Sequence, residues 1–157
     1  MAGRRINIDS AQDAFIEKLK DTDDGIGPFK NKVDVLAFAA SYAATLDISK
    51  TLGATTGSPI RQDVFDTNNY GNLFYLLAVH KDGESGVLDS SDEAQDARAT
   101  IFEEYAKAGL ERMEQDSAGS INLTNYILSL VAKHRKDKES EETGGPKGLD
   151  LSELLDE

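Results

Sequence analysis

The sequence predicts a mainly α protein, a single helical domain with a ribbon-helix-helix-like N-terminal segment and a disordered acidic C-terminal tail. Two patterns predict the domain: residues 1–46 read as a strand and two helices, and the chain from there to residue 136 places most apolar residues at helical spacing. Residues 137–157 are polar and acidic, and cannot bury enough apolar surface to offset the entropy lost on ordering. We therefore expect a domain over residues 1–136 and a flexible tail over residues 137–157.

The β-α-α segment begins with a run that alternates polar and apolar residues over positions 4–8, as a strand does. Asp9 or Ser10 can accept backbone N–H bonds and begin the first helix, which we expect to end near Lys20. A second helix is expected over residues 30–46.

Four further stretches complete the domain. Residues 48–69 are rich in Gly, Ser and Thr and predict a connector with at most brief extended pieces. Residues 69–80 are apolar on nearly all sides and predict a buried helix, although a strand fits the same pattern. A long helix is expected over residues 91–115, in which Gly109 would allow close helix packing, and a last helix over residues 121–136.

Composition limits the class of protein. The hydrophobic fraction of 39% suffices for an ordinary core, and no apolar run approaches the roughly 20 residues that span a bilayer. The first residues are not followed by the apolar region of a secretory signal. Cysteine is absent, which fits a reducing compartment. We expect a cytoplasmic protein with no membrane association.

The net charge of −12 argues against a generic nucleic-acid binder, which would be basic. The charge is uneven, however, since residues 1–66 hold 8 Lys and Arg against 10 Asp and Glu. Any contact with DNA is therefore expected in the part that contains the β-α-α segment. The acidic remainder would repel DNA or meet a basic protein.

The β-α-α order suggests a way of binding nucleic acid. In ribbon-helix-helix proteins two such strands pair across a dimer and enter the major groove, while the second helix offers its N-terminus to a phosphate. This interpretation predicts a homo-oligomer, and Arg and Asn side chains suit the reading of purine edges. The alternative is an edge strand with two packed helices and no ligand. The candidate nucleic-acid-binding residues are Arg4, Arg5, Asn7, Lys30, Asn31 and Lys32.

We find no pattern that predicts catalysis, a metal site or a cofactor, and we expect the protein not to be an enzyme. Acidic pairs such as Glu103 and Glu104 match no metal-binding loop and are expected on a solvated face. His80 and His134 lack the spacing of paired ligands and are expected to be structural. The Gly-rich stretch at residues 53–58 lacks the Lys-Ser/Thr of a phosphate-binding loop.

The chain ends in a leucine-rich stretch that follows the acidic tail. Leu151, Leu154 and Leu155 would share one face of a short helix and are candidate partner-binding residues, since a tethered amphipathic helix can dock into a groove. A frayed tail without a partner is the alternative.

Residues 27–40, 58–65 and 101–110 resemble segments of small proteins encoded beside Dnd systems. Those systems put phosphorothioate links into bacterial DNA and can couple them to restriction. The resemblance covers roughly residues 4–115, without the acidic tail. It implies a cytoplasmic accessory of a DNA-modification and antiphage defence system, with other proteins of that system as partners, and it implies no catalytic residue.

Three functions fit these observations. The leading one is a non-enzymatic accessory protein of a phosphorothioate-linked modification or defence system that contacts DNA, if at all, through its β-α-α segment. The second is a ribbon-helix-helix transcription regulator or antitoxin, which requires a dimer and a defined operator. The third is an acidic protein–protein adaptor that makes no DNA contact.

Overall fold

The computed structural model describes residues 4–20, 27–83, 85–120 and 122–143. Its fold is mainly helical, as predicted, with one small two-stranded sheet. Short 3-10 helices at Ser10–Gln12 and Ser85–Leu88 supplement the main elements. The main elements are β1 (Arg5–Ile6), α1 (Asp13–Leu19), α2 (Lys32–Thr45), β2 (Ile60–Arg61), α3 (Gln62–Thr67), α4 (Gly71–Asp82), α5 (Asp92–Asp116) and α6 (Leu123–Thr143).

The predicted order of strand, helix, helix at the N-terminus is present, and the partner of the strand comes from the same chain. β1 pairs antiparallel with β2, so that Arg5 lies opposite Arg61. Backbone pairing continues along the chain to Ser10, whose N–H donates to the Ala54 carbonyl at 2.8 Å. The ribbon that the sequence suggested between two copies is thus formed within one chain, by the stretch predicted to be a connector.

The core is organised around α5, which packs most extensively against α2 and next against α4. On the α4 side three phenylalanine rings meet: Phe74 stacks on Phe102 with 4.4 Å between centroids, and Phe65 contacts both edge-on. All three rings are buried, and burial of such rings is a main source of folding free energy. On the α2 side Gly109 faces Ala39, so the predicted close helix packing is confirmed.

Three expectations about helices need correction. The stretch predicted to be a connector, residues 48–69, contains the helix α3 at Gln62–Thr67. Residues 69–80 do form a helix, α4, but only its side toward α5 is buried; Leu77 is 5% exposed and Leu76 is 66% exposed. The last helix does not end near residue 136, because α6 continues to Thr143. The rest of the predicted tail, residues 144–157, lies outside the described residues. None of the described helices combines the length and the apolar character needed to cross a membrane.

Candidate functional site

The most distinctive surface feature among the described residues is a depression along α2, which we call the α2 groove. Its first half is a cleft of about 640 Å³ between α2, the segment before it and the start of α4. Its second half is a cleft of about 200 Å³ between α2 and α6. The two halves share Phe38 and Ser41 and therefore form one continuous surface.

The segment before α2 builds one wall of the groove. The N–H of Phe29 donates to the Leu19 carbonyl at 3.0 Å, which holds this segment against the end of α1. The Phe29 ring lies 5.2 Å from the Phe38 ring, measured between centroids. Lys30 follows on the rim, where its side chain is exposed. The wall is therefore apolar, with one cation at its edge.

The opposite wall is fixed by a hydrogen bond between α2 and the residue before α4. The Tyr70 hydroxyl donates to the Asp34 carboxylate at 2.7 Å. Burial, together with the neighbouring Asp34, raises the pKa of Tyr70 to about 12, so the phenol stays protonated at neutral pH. The bond holds the start of α4 against α2, where the apolar Leu73 lines the groove.

The second half of the groove is formed where α6 lies along α2. Leu130 packs against the core, whereas Val131 is 49% exposed and lines the groove. The His134 ring meets the Tyr42 ring edge-on at 5.7 Å between centroids. Apolar clefts with a few polar groups, at helical length, are suited to hold an amphipathic segment of another chain.

Two of the candidate nucleic-acid-binding residues, Arg4 and Asn7, point toward α5. The backbone N–H and the side-chain amide of Asn7 both donate to Glu103, at 2.9 and 3.3 Å. Arg4 lies 3.4 Å from the same carboxylate and 2.8 Å from that of Asp96. These side chains fasten the ribbon to the helix.

Glu103 itself is a correction to the sequence analysis, which expected it on a solvated face. It is 7% exposed, and burial raises its pKa, although the hydrogen bonds from Asn7 and the nearby charge of Arg4 oppose this shift. Its neighbour Glu104 is only partly exposed. Burial of Glu103 could not be anticipated from its own position, because it depends on a strand some 96 residues away in the chain.

The other four candidates separate into engaged and exposed side chains. Asn31 caps α2, since its side-chain oxygen Oδ1 accepts the Asp34 N–H at 2.9 Å. Lys32 forms ion pairs with Glu17 and Asp13 on α1. Burial lowers the Lys32 pKa, but these carboxylates outweigh it and raise the pKa overall. By contrast, the side chains of Arg5 and Lys30 are exposed.

A second buried carboxylate, Asp9, joins three parts of the chain. It is 5% exposed and accepts from the N–H of Ala11, as predicted for a cap, from the N–H of Gly53 and from the Lys107 ammonium, at 2.9, 2.7 and 2.6 Å. Burial raises the Asp9 pKa, but the hydrogen bonds, led by that from Lys107, lower it overall. No pattern in the sequence indicated Lys107 as its partner, since the two residues are 98 positions apart.

The remaining predicted features are placed as follows. Across the described residues, no group of three His, Asp or Glu side chains is arranged to hold a metal ion. His134 lies in the α2 groove, and His80 lies 3.8 Å from Asp47 on the surface. The candidate partner-binding residues Leu151, Leu154 and Leu155 lie outside the described residues.

The fold and site define a helical domain with an intrachain ribbon and an open apolar groove. The family model described as DNA sulphur modification system-associated protein 4 matches residues 5–153, and the chain belongs to this family. The resemblance to Dnd-associated proteins is thereby confirmed, and the chain is an accessory protein of a DNA sulphur modification system. No curated protein and no solved structure matches it.

Proposed function

We propose that this protein is a non-enzymatic accessory that binds a segment of another protein of its DNA sulphur modification system in the α2 groove. The observation that supports this most is the groove's continuity and apolar lining along one helix. The larger half, at about 640 Å³, has the size of a ligand site, for which about 300–1,000 Å³ is usual. We place this activity in the cytoplasm, with the DNA that the system modifies.

The charges around the α2 groove indicate what it would bind. Lys30 stands on the rim of the first half, and His134 lines the second half. The lining also contains a carboxylate, Asp34, which accepts the hydrogen bond from Tyr70 through one of its two oxygens. An apolar segment with an acidic residue placed to reach Lys30 would meet apolar walls and this exposed cation, so we propose such a segment as the occupant.

The buried carboxyl groups support the non-enzymatic part of the proposal. A general acid or base must come within hydrogen-bond reach of a substrate. Asp9 already accepts three hydrogen bonds, and Glu103 accepts two from Asn7 beneath the ribbon. Both groups hold the N-terminal segment to α5, which accounts for their burial without a reaction.

The test uses the other proteins of the modification system, each co-expressed with the full chain and measured by pull-down and calorimetry. Val131→Glu and Lys30→Glu alter the two halves of the groove at exposed positions. Leu128→Glu is the matched control, since Leu128 lies on the same helix and is 61% exposed but does not line the groove. We expect one system protein to bind, with affinity lowered at least tenfold by both groove variants and unchanged by the control.

Two outcomes would overturn this proposal. One is that no protein of the system binds the full chain. The other is that a system protein binds equally well to the parent, to Val131→Glu and to Lys30→Glu, which would place the contact elsewhere.

DNA contact is a second candidate function, favoured by one specific observation. Arg5 and Arg61 lie directly opposite each other on the ribbon, and both side chains are exposed. Like charges in this position repel. Arg61 is partly compensated by its ion pair with Asp63, and a phosphate between the two arginines would relieve the remaining repulsion. Replacing Arg5 and Arg61 with Ala should abolish salt-sensitive binding to duplex DNA, with or without phosphorothioate links, and should leave the α2 groove unchanged. If the parent protein does not bind DNA at low salt, the protein adaptor is the function that remains.

The transcription regulator or antitoxin receives less support. That function needs two copies of β1 to pair with each other, whereas β1 is already paired with β2 on one edge and faces Glu103 of α5 through Asn7. This function would regain support if a dimer with paired β1 strands were found to bind a defined operator.

A further inference from the structure

The leucine-rich segment, residues 149–157, has the composition that the α2 groove is proposed to bind. It holds four leucines, four acidic residues and no basic one. Leu151, Leu154 and Leu155 have the spacing of one helix face, so the segment combines an apolar side with carboxylates. The segment itself lies outside the described residues, whereas the helix that leads to it, α6, lies within them.

The leucine-rich segment is attached to the helix that forms one wall of the groove. Val131 and His134 of α6 line the second half, and α6 ends at Thr143. The way back along α6 from Thr143 to Val131 is about 18 Å, at a rise of about 1.5 Å per residue. The chain from Thr143 to Leu151 can span about 26 Å when extended. Residues 144–148 include three glycines and a proline, which favour a chain reversal. Leu151 can therefore reach the groove of its own molecule.

The charges beside the groove are complementary to this segment. Residues 133–136 of α6 read Lys-His-Arg-Lys, and the two lysines and the arginine are exposed, in a chain with a net charge of −12. One acid, Asp137, follows them. Lys30 stands on the rim at the other end of the groove, with its side chain exposed. An acidic segment laid along the groove would thus meet cations at both ends, whereas the acidic surface elsewhere would repel it.

We propose that the leucine-rich segment occupies the α2 groove of the same molecule, with its leucines on the apolar walls and its carboxylates toward Lys30 and residues 133–136. This occupation rests on the proposed function, because the segment then competes with the segment of the partner protein. A short tether gives an effective concentration of about 1 mM, so docking with a dissociation constant of only about 0.1 mM would fill the groove in roughly nine molecules of ten. The apparent affinity for the partner would be lowered about tenfold.

A single thiol in the groove tests the occupation, because the chain has no cysteine. The described residues leave Val131 49% exposed. Val131→Cys in the full chain is treated with N-ethylmaleimide, an uncharged reagent that the acidic segment does not repel. We expect alkylation, followed by mass spectrometry, to be about tenfold slower than in the same chain with Leu154→Ser and Leu155→Ser, which remove apolar surface without changing the charge.

The control is Leu128→Cys, on the same helix but outside the groove, which should react at the same rate with and without the two serine changes. Circular dichroism checks that each variant is folded. Equal rates for Val131→Cys with and without the serine changes would overturn the occupation. Protection that is lost on dilution would also overturn it, since the segment would then come from a second copy.

Binding of the partner protein is measured separately. The chain with Leu154→Ser and Leu155→Ser should bind its system protein about tenfold more tightly than the parent, because the competing segment is weakened. Weaker binding would show that these leucines contact the partner, and would overturn the competition. If no system protein binds, the proposed function of the groove fails, while the alkylation rates still decide whether the leucine-rich segment occupies it.

Discussion

Gly109 of α5 lies so close to Ala39 of α2 that a Cβ atom on the glycine would stand 2.0 Å from the Ala39 carbonyl oxygen. The same atom would be 2.7 Å from the Ala39 carbonyl carbon. The neighbouring α2 residues Ala40 and Ala43 are small and fully buried, which lets the two backbones approach. The central contact of the fold is therefore set by the absence of side-chain volume at one position.

We predict that Gly109→Ala destabilises the protein. Helix propensity alone would favour alanine by about 1 kcal/mol, but the new methyl group meets backbone that cannot move aside cheaply, and overpacking costs roughly 1–3 kcal/mol or more. Because the contact would be as short as 2.0 Å, we expect the upper end of that cost, about 3 kcal/mol, so chemical denaturation should show a net loss of about 2 kcal/mol. Gly57→Ala, which places its methyl group in open space, is the control. A Gly109→Ala protein as stable as the parent would contradict the close approach.

The Asp9–Lys107 pair predicts a large loss of stability from a single substitution. Asp9→Ala leaves the Lys107 ammonium, 13% exposed, without its carboxylate, and removal of one partner from a buried pair costs about 3–5 kcal/mol. Lys50→Met, which breaks the exposed pair with Glu111, should change stability by only about 0–1 kcal/mol. Urea denaturation at pH 7 measures both, and equal effects would show that the Asp9 pair is not the tie that its burial indicates.

The pH dependence of the same group follows from its pKa. Burial raises the Asp9 pKa and the hydrogen bonds, led by Lys107, lower it, with a net lowering from 3.8. A carboxyl with a lowered folded-state pKa contributes stability above its unfolded pKa and loses it as the pH falls through the folded one. The stability gap between the parent and Asp9→Ala should therefore be constant near neutrality and shrink below about pH 4.

Most of the helices could be predicted from the sequence because their signals are local, but α3 was missed, since it lies in the stretch predicted to be a connector. Caps and periodicity fixed the positions of α1, α2 and α5 to within a few residues, and Gly109 stood out as a small residue within a long helix. The structure explains why this residue is a glycine, since the backbone of Ala39 leaves no room for a side chain there. Local pattern also identified α4 as a helix, but the side on which it packs depends on α5 and could not be read from an all-apolar sequence.

The candidate site was less predictable, because charge is visible in a sequence and burial is not. By residue type, a phosphate or a base edge was a reasonable ligand for Arg4, Asn7 and Lys32. In the fold, each of these side chains contacts a carboxylate instead. The pairing of β1 with β2 joins segments more than fifty residues apart, and nothing in the connector selected its partner. The α2 groove is formed by α2, α4 and α6 together, so no single stretch of the sequence could indicate it.

The raised pKa of Glu103 predicts a dependence of stability on pH that is opposite in sign to that of Asp9. Burial raises its pKa above 4.5, so the protonated form is favoured in the folded protein, and the stability from that form is lost as the pH rises through the folded-state pKa. Glu103→Gln keeps an acceptor for the Asn7 N–H and removes the buried charge. We expect this variant to match the parent at low pH and to gain on it as the pH rises to 7, measured by thermal unfolding. Lower stability of Glu103→Gln at pH 7 would show that the charge contact with Arg4 outweighs burial.

We predict that lysine cannot replace Arg98 without loss of stability. It is 4% exposed, donates to two carbonyls of the loop before α5 and covers the Tyr75 ring. A lysine lacks the planar fork that makes these contacts together, and hydrogen bonds from charged groups contribute about 1.5–3 kcal/mol. Arg98→Lys should lose about 2 kcal/mol and speed hydrogen exchange in residues 85–90. Arg112→Lys, at an exposed pair with Asp116, should do neither.

Asn31 separates a structural role from a nucleic-acid role at one position. Its side chain caps α2, and Asn31→Ala should cost about 1 kcal/mol in unfolding free energy. Asn31→Ser can still accept the Asp34 N–H but cannot bond bidentately to adenine, so it should restore most of the stability. Asn72→Ala, exposed within α4, serves as the control and should not lower stability. If DNA binding is observed and Asn31→Ser is as stable as the parent but binds DNA more weakly, Asn31 contacts DNA in addition to capping the helix; unchanged binding would assign it to the cap alone.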